Sequence, residues 1–227
     1  MGILSRIRRR LRRLAGLEAP YEGSFFGLNG LDRELAKRVD FRDGYYVELG
    51  ANDGRRQSNT YHYELDKGWR GVLIEPIPHK FIECKRLRGE KNAVFCAACV
   101  PFDFPDRFVP MRYADLMTTT DGLTSLDQDD HFEAAQSHYD HSEAYEFAAR
   151  ARTITSILDE AGAPATIDLL SLDVEGAEVA VLQGLDQAKY RFRYILVETK
   201  DIAAIQAALP DYRLIDQLSY HDYLLGS

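Results

Sequence analysis

Short apolar runs at residues 45–49, 71–74, 93–99, 167–172 and 194–197 alternate with segments of helical spacing, and this rhythm constrains the chain more than any other feature. Runs dominated by apolar residues read as strands buried on both faces, and their alternation with helices reads as a parallel sheet covered on both sides. The helical segments are residues 59–67, 78–88, 156–161, 177–185 and 201–209, the last closed by Pro210, which cannot continue a helix. Two further strands, 212–216 and 220–225, finish the chain and are expected to pair antiparallel. The rhythm fails between Pro101 and Arg150. An insert of this length between two sheet strands builds a lid or a binding wall above the sheet edge. Its latter part, 131–150, is expected to be helical.

The chain has 227 residues, 45% of them hydrophobic, enough for one core. Its 28 basic and 36 acidic side chains are unevenly placed: the first 16 residues hold six arginines and no acid. The remaining 211 residues therefore carry 22 bases against 36 acids, a body that repels a phosphate backbone, and no nucleic-acid partner is expected. Within residues 1–17, Ile3, Ile7, Leu11 and Leu14 align on one face among the arginines, the pattern of a basic amphipathic helix. Such a helix suits an anionic membrane surface, where each basic residue adds about 1 kcal/mol; a solvated tail and a dock for an acidic partner are the other readings. Residues 18–40 read as a linker leading into a helix near 32–38, and 41–227 as the main domain. No stretch is long and apolar enough to span a bilayer and no secretory signal is evident, so a cytoplasmic location is expected, with peripheral contact at the inner face of the membrane through residues 1–16. Cys84, Cys96 and Cys99 do not form a disulfide framework. On one strand the offset of three would put Cys96 and Cys99 on opposite faces, which reads as core packing and not as a metal or redox pair.

The first run ends in Val47-Glu48-Leu49-Gly50-Ala51-Asn52-Asp53-Gly54. Glycines directly after a buried strand let a ligand approach the backbone. The spacing differs from the Gly-x-Gly-x-x-Gly of nicotinamide enzymes, and the acid at the strand end suits a cationic ligand such as S-adenosylmethionine better than a pyrophosphate. The second run ends in Glu75, 27 residues after Glu48, where an acid accepts hydrogen bonds from both hydroxyls of an adenosine ribose. The run 167–172 ends in Asp173, across the switch point from the first loop, and should face the reactive end of the ligand. Glu175 and Glu178 follow it; Glu178 reads as a helix N-terminal charge.

VELGANDG (47–54), SNTYHYEL (58–65), GWRGVLIEPIP (68–78) and IDLLSLDVEGAEVAVLQGL (167–185), in this order, resemble the FkbM-type S-adenosylmethionine-dependent methyltransferases over about residues 40–216. The resemblance implies an α/β, Rossmann-like class I methyltransferase fold, a mostly parallel seven-stranded sheet with helices on both faces and an insert between strands 3 and 4. It also implies O-methylation of sugars in polysaccharides, glycolipids or antibiotics. By the match, Glu48, Gly50, Asn52 and Asp53 would line the methionine end of the cofactor, Ser58 and Asn59 would help fix it, Glu75 would hold the ribose, and Asp173 would sit beside the methyl group.

Methyl transfer to a hydroxyl needs the acceptor oxygen aligned and its proton removed. Asp173 and Glu198, at the ends of neighbouring strands, are the candidate catalytic acids; they can act as a bare pair or share a Mg2+. His131, His138 and His141 in the insert are candidates for a substrate-side base or metal site, against the reading of a solvated helix. Tyr139 and Tyr145 are candidates for stacking on a sugar, against the commoner reading of aromatic packing. Two functions are carried forward: an O-methyltransferase acting on a sugar hydroxyl of a glycan, glycolipid or nucleotide-sugar intermediate, and a non-catalytic nucleotide-binding or scaffolding module at the membrane surface.

Overall fold

The computed structural model describes residues 24–113, 118–120, 123 and 145–227. The basic helix expected at 1–17, His131, His138, His141 and Tyr139 lie outside them. Among the described residues no helix is long and apolar enough to cross a membrane.

Seven strands make the main sheet: β1 (Tyr45–Leu49), β2 (Arg70–Ile74), β3 (Ala93–Phe95), β8 (Thr166–Leu172), β9 (Arg191–Glu198), β10 (Arg213–Gln217) and β11 (Asp222–Gly226). Their order is β10-β11-β9-β8-β1-β2-β3. The pairs β1–β2, β1–β8, β2–β3 and β8–β9 are parallel, whereas β11 runs antiparallel to both β9 and β10. The strand order reverses between β1 and β8, so their carboxyl ends open a crevice, the usual ligand position in such folds.

Alternation along the strands builds two cores. Val47, Leu49, Val72, Ile74, Leu170, Leu172, Ile195 and Val197 face one side, where α4 (Ile154–Ala161), α5 (Glu178–Gln183) and α6 (Ile202–Ala208) cover them. Tyr46, Leu73, Leu169, Leu196 and Leu224 face the other, against α1 (Leu31–Ala36), α2 (Tyr61–Lys67) and α3 (Pro78–Arg88). Helix α3 begins with Pro78, whose missing N–H costs nothing in the first turn. Helices α4 and α6 are capped by the Thr153 hydroxyl and the Asp201 carboxylate, which accept from Ser156 N and Ala204 N. The part of the presumed linker that is described is packed: Leu31, Leu35 and Val39 are buried beside Tyr63 and Trp69, and Asp32 accepts the amide of Phe26 at 2.5 Å.

Two expectations for the middle of the chain are corrected. Residues 93–99 form two strands, not one: β3 ends at Phe95, whose carbonyl accepts from Glu75 N, and the chain turns out of the main sheet before β4 (Ala98–Cys99). Cys96 thus sits in the turn, its thiol against the Pro76 carbonyl at 3.7 Å, while Cys99 is buried in the core; all three cysteines are free. The end of the segment expected to be helical is a strand, β7 (Tyr145–Arg152). It pairs antiparallel with β5 (Phe108–Tyr113) and parallel with β4, and β5 pairs with β6 (Thr119–Thr120), giving a second sheet of order β4-β7-β5-β6. The insert between β3 and β8 is therefore built on a small sheet.

Candidate active site

The loop after β1 is shaped by its backbone. Gly50 has φ +76°, and its amide and that of Ala51 both donate to the Ile74 carbonyl, at 3.1 and 3.2 Å. A Cβ on Gly50 would overlap the carbonyl oxygen of Asp173, so only glycine lets the tails of β1 and β8 come this close. Asn52, also left-handed at φ 48°, donates its amide to a Glu75 carboxylate oxygen at 2.7 Å. The Asp53 carboxylate closes the turn by accepting from the amides of Arg55 and Arg56 at 2.8 and 2.7 Å.

Glu75 is buried at the tip of β2 and accepts Asn52 N on one oxygen and Ile77 N on the other. Burial pushes its carboxyl up to about 7 against the pull of those two amides. A carboxylate offers about four acceptor directions, so two remain for a vicinal diol.

Glu48 lies where its strand parity sends it. It shares a face with Tyr46 and is turned onto α2 and α3, below the sheet edge. Its carboxylate accepts from Ser58 Oγ (2.9 Å), Asn59 N (3.1 Å), Thr60 Oγ1 (2.6 Å) and an Arg88 nitrogen (3.0 Å). Ser58 is likewise occupied, giving its proton to Glu48 and accepting from Tyr61 N at 3.1 Å. Glu48 and Ser58 thus meet each other rather than the open crevice, and they bear on the loop from beneath. The Asn59 carboxamide oxygen is buried without a hydrogen-bond partner.

On the far side of the crevice, Leu172 pairs with Val197, so Asp173 and Glu198 leave adjacent strands together. Their carboxyls share a hydrogen bond. Burial is the first cause that holds Asp173 well above the usual carboxylate range, with repulsion from Glu198, Glu178 and Asp222 behind it. Burial, then Glu175 and Asp222, raise Glu198 to about 7. Glu175, with φ 54°, is raised to about 8 by burial and by Asp173. Glu178 is buried and accepts the Gly176 amide at 2.9 Å, the helix-start role expected of it. Asp222 faces Glu198 across the β9–β11 pair, and His221 Nε2 stands 3.3 Å from the Glu198 carboxylate. One proton shared between Asp173 and Glu198 relieves part of this repulsion, and a cationic ligand would relieve more. Among the described residues, no group of three or more His, Cys, Asp or Glu is arranged to hold a metal ion.

Sequence reasoning missed Arg88 and Glu64. Arg88 is one of three basic residues in the last turn of α3, which reads as a solvated helix end. The available signal was that Glu48 and Glu64, both beside buried segments, had no cation assigned to them.

No curated protein sequence matches the chain. Among solved structures it is similar to a TehB-like SAM-dependent methyltransferase from Corynebacterium glutamicum (12% identity, 97% of this chain and 94% of that one, TM-score 0.41). It is also similar to a SAM-dependent methyltransferase from Aquifex aeolicus (10% identity, 94% of each chain, TM-score 0.44). A third is a precorrin-6y C5,15-methyltransferase from Geobacter metallireducens (9% identity, 91% and 90%, TM-score 0.44). The family model described as Methyltransferase FkbM domain matches residues 48–225, from β1 to β11. With strand-end acids, glycine loop and sheet order inside that span, the chain belongs to the FkbM methyltransferase family and is an S-adenosylmethionine-dependent methyltransferase.

Proposed function

We propose that this methyltransferase acts on a hydroxyl oxygen, on a sugar of a glycan, glycolipid or nucleotide-sugar intermediate. The observation that carries the reading is the Asp173–Glu198 pair, two hydrogen-bonded carboxyls at the crevice, one of them titrating near 7. Alkylation of an already nucleophilic atom needs no such pair; a hydroxyl needs a group that takes its proton.

The residues present fit S-adenosylmethionine: Glu75 keeps acceptor directions for a ribose diol, the Gly50 turn brings bare backbone to the crevice, and the unpartnered Asn59 oxygen suits an ammonium group. When bound, the cofactor supplies an electrophilic sulfonium methyl. Gly50, Asn52 and Asp53 shape the loop that would hold its methionine end, with Glu48 and Ser58 supporting that loop from below. Glu198, its ionised form held by the Asp173 hydrogen bond, accepts the proton of the acceptor hydroxyl as the oxygen attacks in line. Asp173, hydrogen-bonded to Glu198, would keep the base oriented.

Calorimetry with S-adenosylmethionine checks the ribose contact: Glu75→Ala is expected to raise the Kd at least about tenfold, from loss of hydrogen bonds to a charged group. Wild-type affinity in that variant would remove Glu75 from the site. Labelled-methyl transfer to a panel of neutral and charged glycans checks the acceptor class. Binding of cofactor with no transfer to any sugar hydroxyl would sink the proposal and favour the non-catalytic module.

The same two carboxylates are the candidates for a shared Mg2+, yet no group of three or more His, Cys, Asp or Glu among the described residues is arranged to hold a metal ion, and no step is routed through the ion. Activity in the presence of a chelator is therefore expected to equal that with added Mg2+. A loss on chelation that Mg2+ restores would replace the bare-pair mechanism by a metal-assisted one.

A further inference from the structure

The SNTYHYEL segment turns away from the crevice and toward one side chain. Arg88, the last residue of α3, is wholly buried. Its Nε donates to Glu64 at 2.8 Å; Nη1 reaches Glu48 at 3.0 Å, Ser58 Oγ at 3.1 Å and the Gly54 carbonyl at 3.2 Å; Nη2 reaches the Tyr46 hydroxyl at 2.6 Å and Thr60 Oγ1 at 2.9 Å. The guanidinium carbon also lies over the rings of Tyr61 and Tyr46, 4.9 and 5.2 Å from their centres. Asn92 completes the cluster, accepting from Tyr46 at 2.7 Å and donating to Glu64 at 2.8 Å.

A guanidinium withdrawn from water persists only where its N–H groups are matched and its charge is balanced. Here two carboxylates more than offset its charge, and its partners span the whole loop: Glu48 before it, Gly54 at its middle, Ser58 at its end and Thr60 after it. The approach is close at Gly54, where a Cβ would stand 3.0 Å from both Arg88 Cδ and Cys84 Sγ. The links from Glu48, Gly54, Ser58 and Thr60 converge on one rigid helix end, which Glu64 and Tyr46 hold from α2 and β1. None of them occupies the crevice.

We propose that Arg88 is a positioning residue for methyl transfer: by clamping Glu48, Gly54, Ser58 and Thr60 to the end of α3, it sets the shape in which residues 50–59 receive the methionine end of the cofactor. It acts through the loop and touches neither cofactor nor acceptor. The planar fork is essential, because a lysine ammonium is a point charge with three donors and cannot span these partners. The inference rests on the reading of residues 50–59 as the cofactor-facing loop.

The test uses the full chain carrying Arg88→Lys or Thr60→Val, with Ile157→Val, in the core on the opposite face of the sheet, as a control. Amide hydrogen exchange at residues 50–59 without cofactor, calorimetry with S-adenosylmethionine and the split between KM and kcat are measured. In Arg88→Lys, loop exchange is expected to speed up about tenfold and the Kd to rise by about tenfold or more, with KM for the cofactor rising more than kcat falls. Thr60→Val is expected to move exchange and Kd in the same direction by about threefold. Ile157→Val lowers the melting temperature and leaves both unchanged. A folded Arg88→Lys with wild-type loop exchange and wild-type Kd overturns the proposal; where Arg88→Lys does not fold, wild-type values in Thr60→Val do so. A wild-type chain that bound no cofactor would count against the loop reading itself, and loop exchange alone would then judge Arg88.

Discussion

Glu198→Gln is expected to lower kcat by about 10²- to 10⁴-fold, the range a general base contributes, while cofactor affinity stays within about threefold. The amide preserves the shape of the side chain and can still accept a hydrogen bond from Asp173, so the loss isolates proton acceptance. Because burial and the neighbouring acids raise Glu198 to about 7, its basic form is populated only as pH climbs through that value. In the wild type, kcat/KM therefore rises with pH up to about 7 and levels off above it, and in the variant this limb disappears. The two carboxyls titrate as a unit, so the limb belongs to the pair. Asp173→Asn, which keeps a donor toward Glu198, is expected to cost less. A Glu198→Gln enzyme with kcat within about threefold of wild type would show that another group takes the proton.

The second large effect is expected from one added methyl group. Gly50→Ala places a side chain in the left-handed region at φ +76°, a conformation costing about 1–2 kcal/mol for residues other than glycine. It also drives the new Cβ into the Asp173 carbonyl oxygen, which is main chain and cannot rotate aside. At least about 2 kcal/mol of stability should be lost, lowering the melting temperature by roughly 4–8 °C in a chain of this size. Function should suffer more than stability. The contact joins the loop proposed to receive the cofactor to the strand end bearing Asp173, and a misplacement of about 1 Å at such a site can cost 10²-fold in rate. Thermal melts and single-turnover kinetics read the two effects separately. A variant matching wild type in both would mean that the tails of β1 and β8 have room to part.

Much of this was legible in the sequence, and the gaps have physical causes. Strands buried on both faces declared themselves through their apolar stretches, Leu169-Leu170 and Leu172 in β8 and Tyr194 to Val197 in β9, even though Asp168 and Ser171 interrupt β8. Helix α3 could be read to its ends, since Pro78 opens it and Gly89 follows it. The acids at the tips of β2, β8 and β9 were found because a carboxylate directly after a buried strand has few other places to go. Strand β7 was hidden because YEFAARAR offers alanine where alternation would show a large apolar residue, and only Ala149 within it is fully buried. The break between β3 and β4 was hidden because the chain stays apolar while passing from one sheet to another. Glu48 was visible as a strand-end acid, and its parity with Tyr46 could have placed it beneath the sheet. Its partner could not be read so easily: Arg88 is 40 residues away and resembles the solvated basic residues around it.

The second sheet has a consequence for how such an enzyme can change its acceptor. Residues 114–144 leave from Tyr113 and return at Tyr145, which are directly paired across β5 and β7 with their rings stacked 4.7 Å apart. The base of the sheet is fixed again where Ala98 and Cys99 pair with Ala151 and Arg152. Ends already fastened side by side lower the cost of lengthening what lies between them, since closure entropy grows only by about 0.6 kcal/mol for each doubling of length. Foreign segments can be grafted between those anchors without disturbing Glu75, Gly50 or Asp173, which belong to other strands. On the proposed reading of the insert as the acceptor wall, donor chemistry and acceptor recognition would then diverge independently, as if the enzyme were a fixed handle with an exchangeable head.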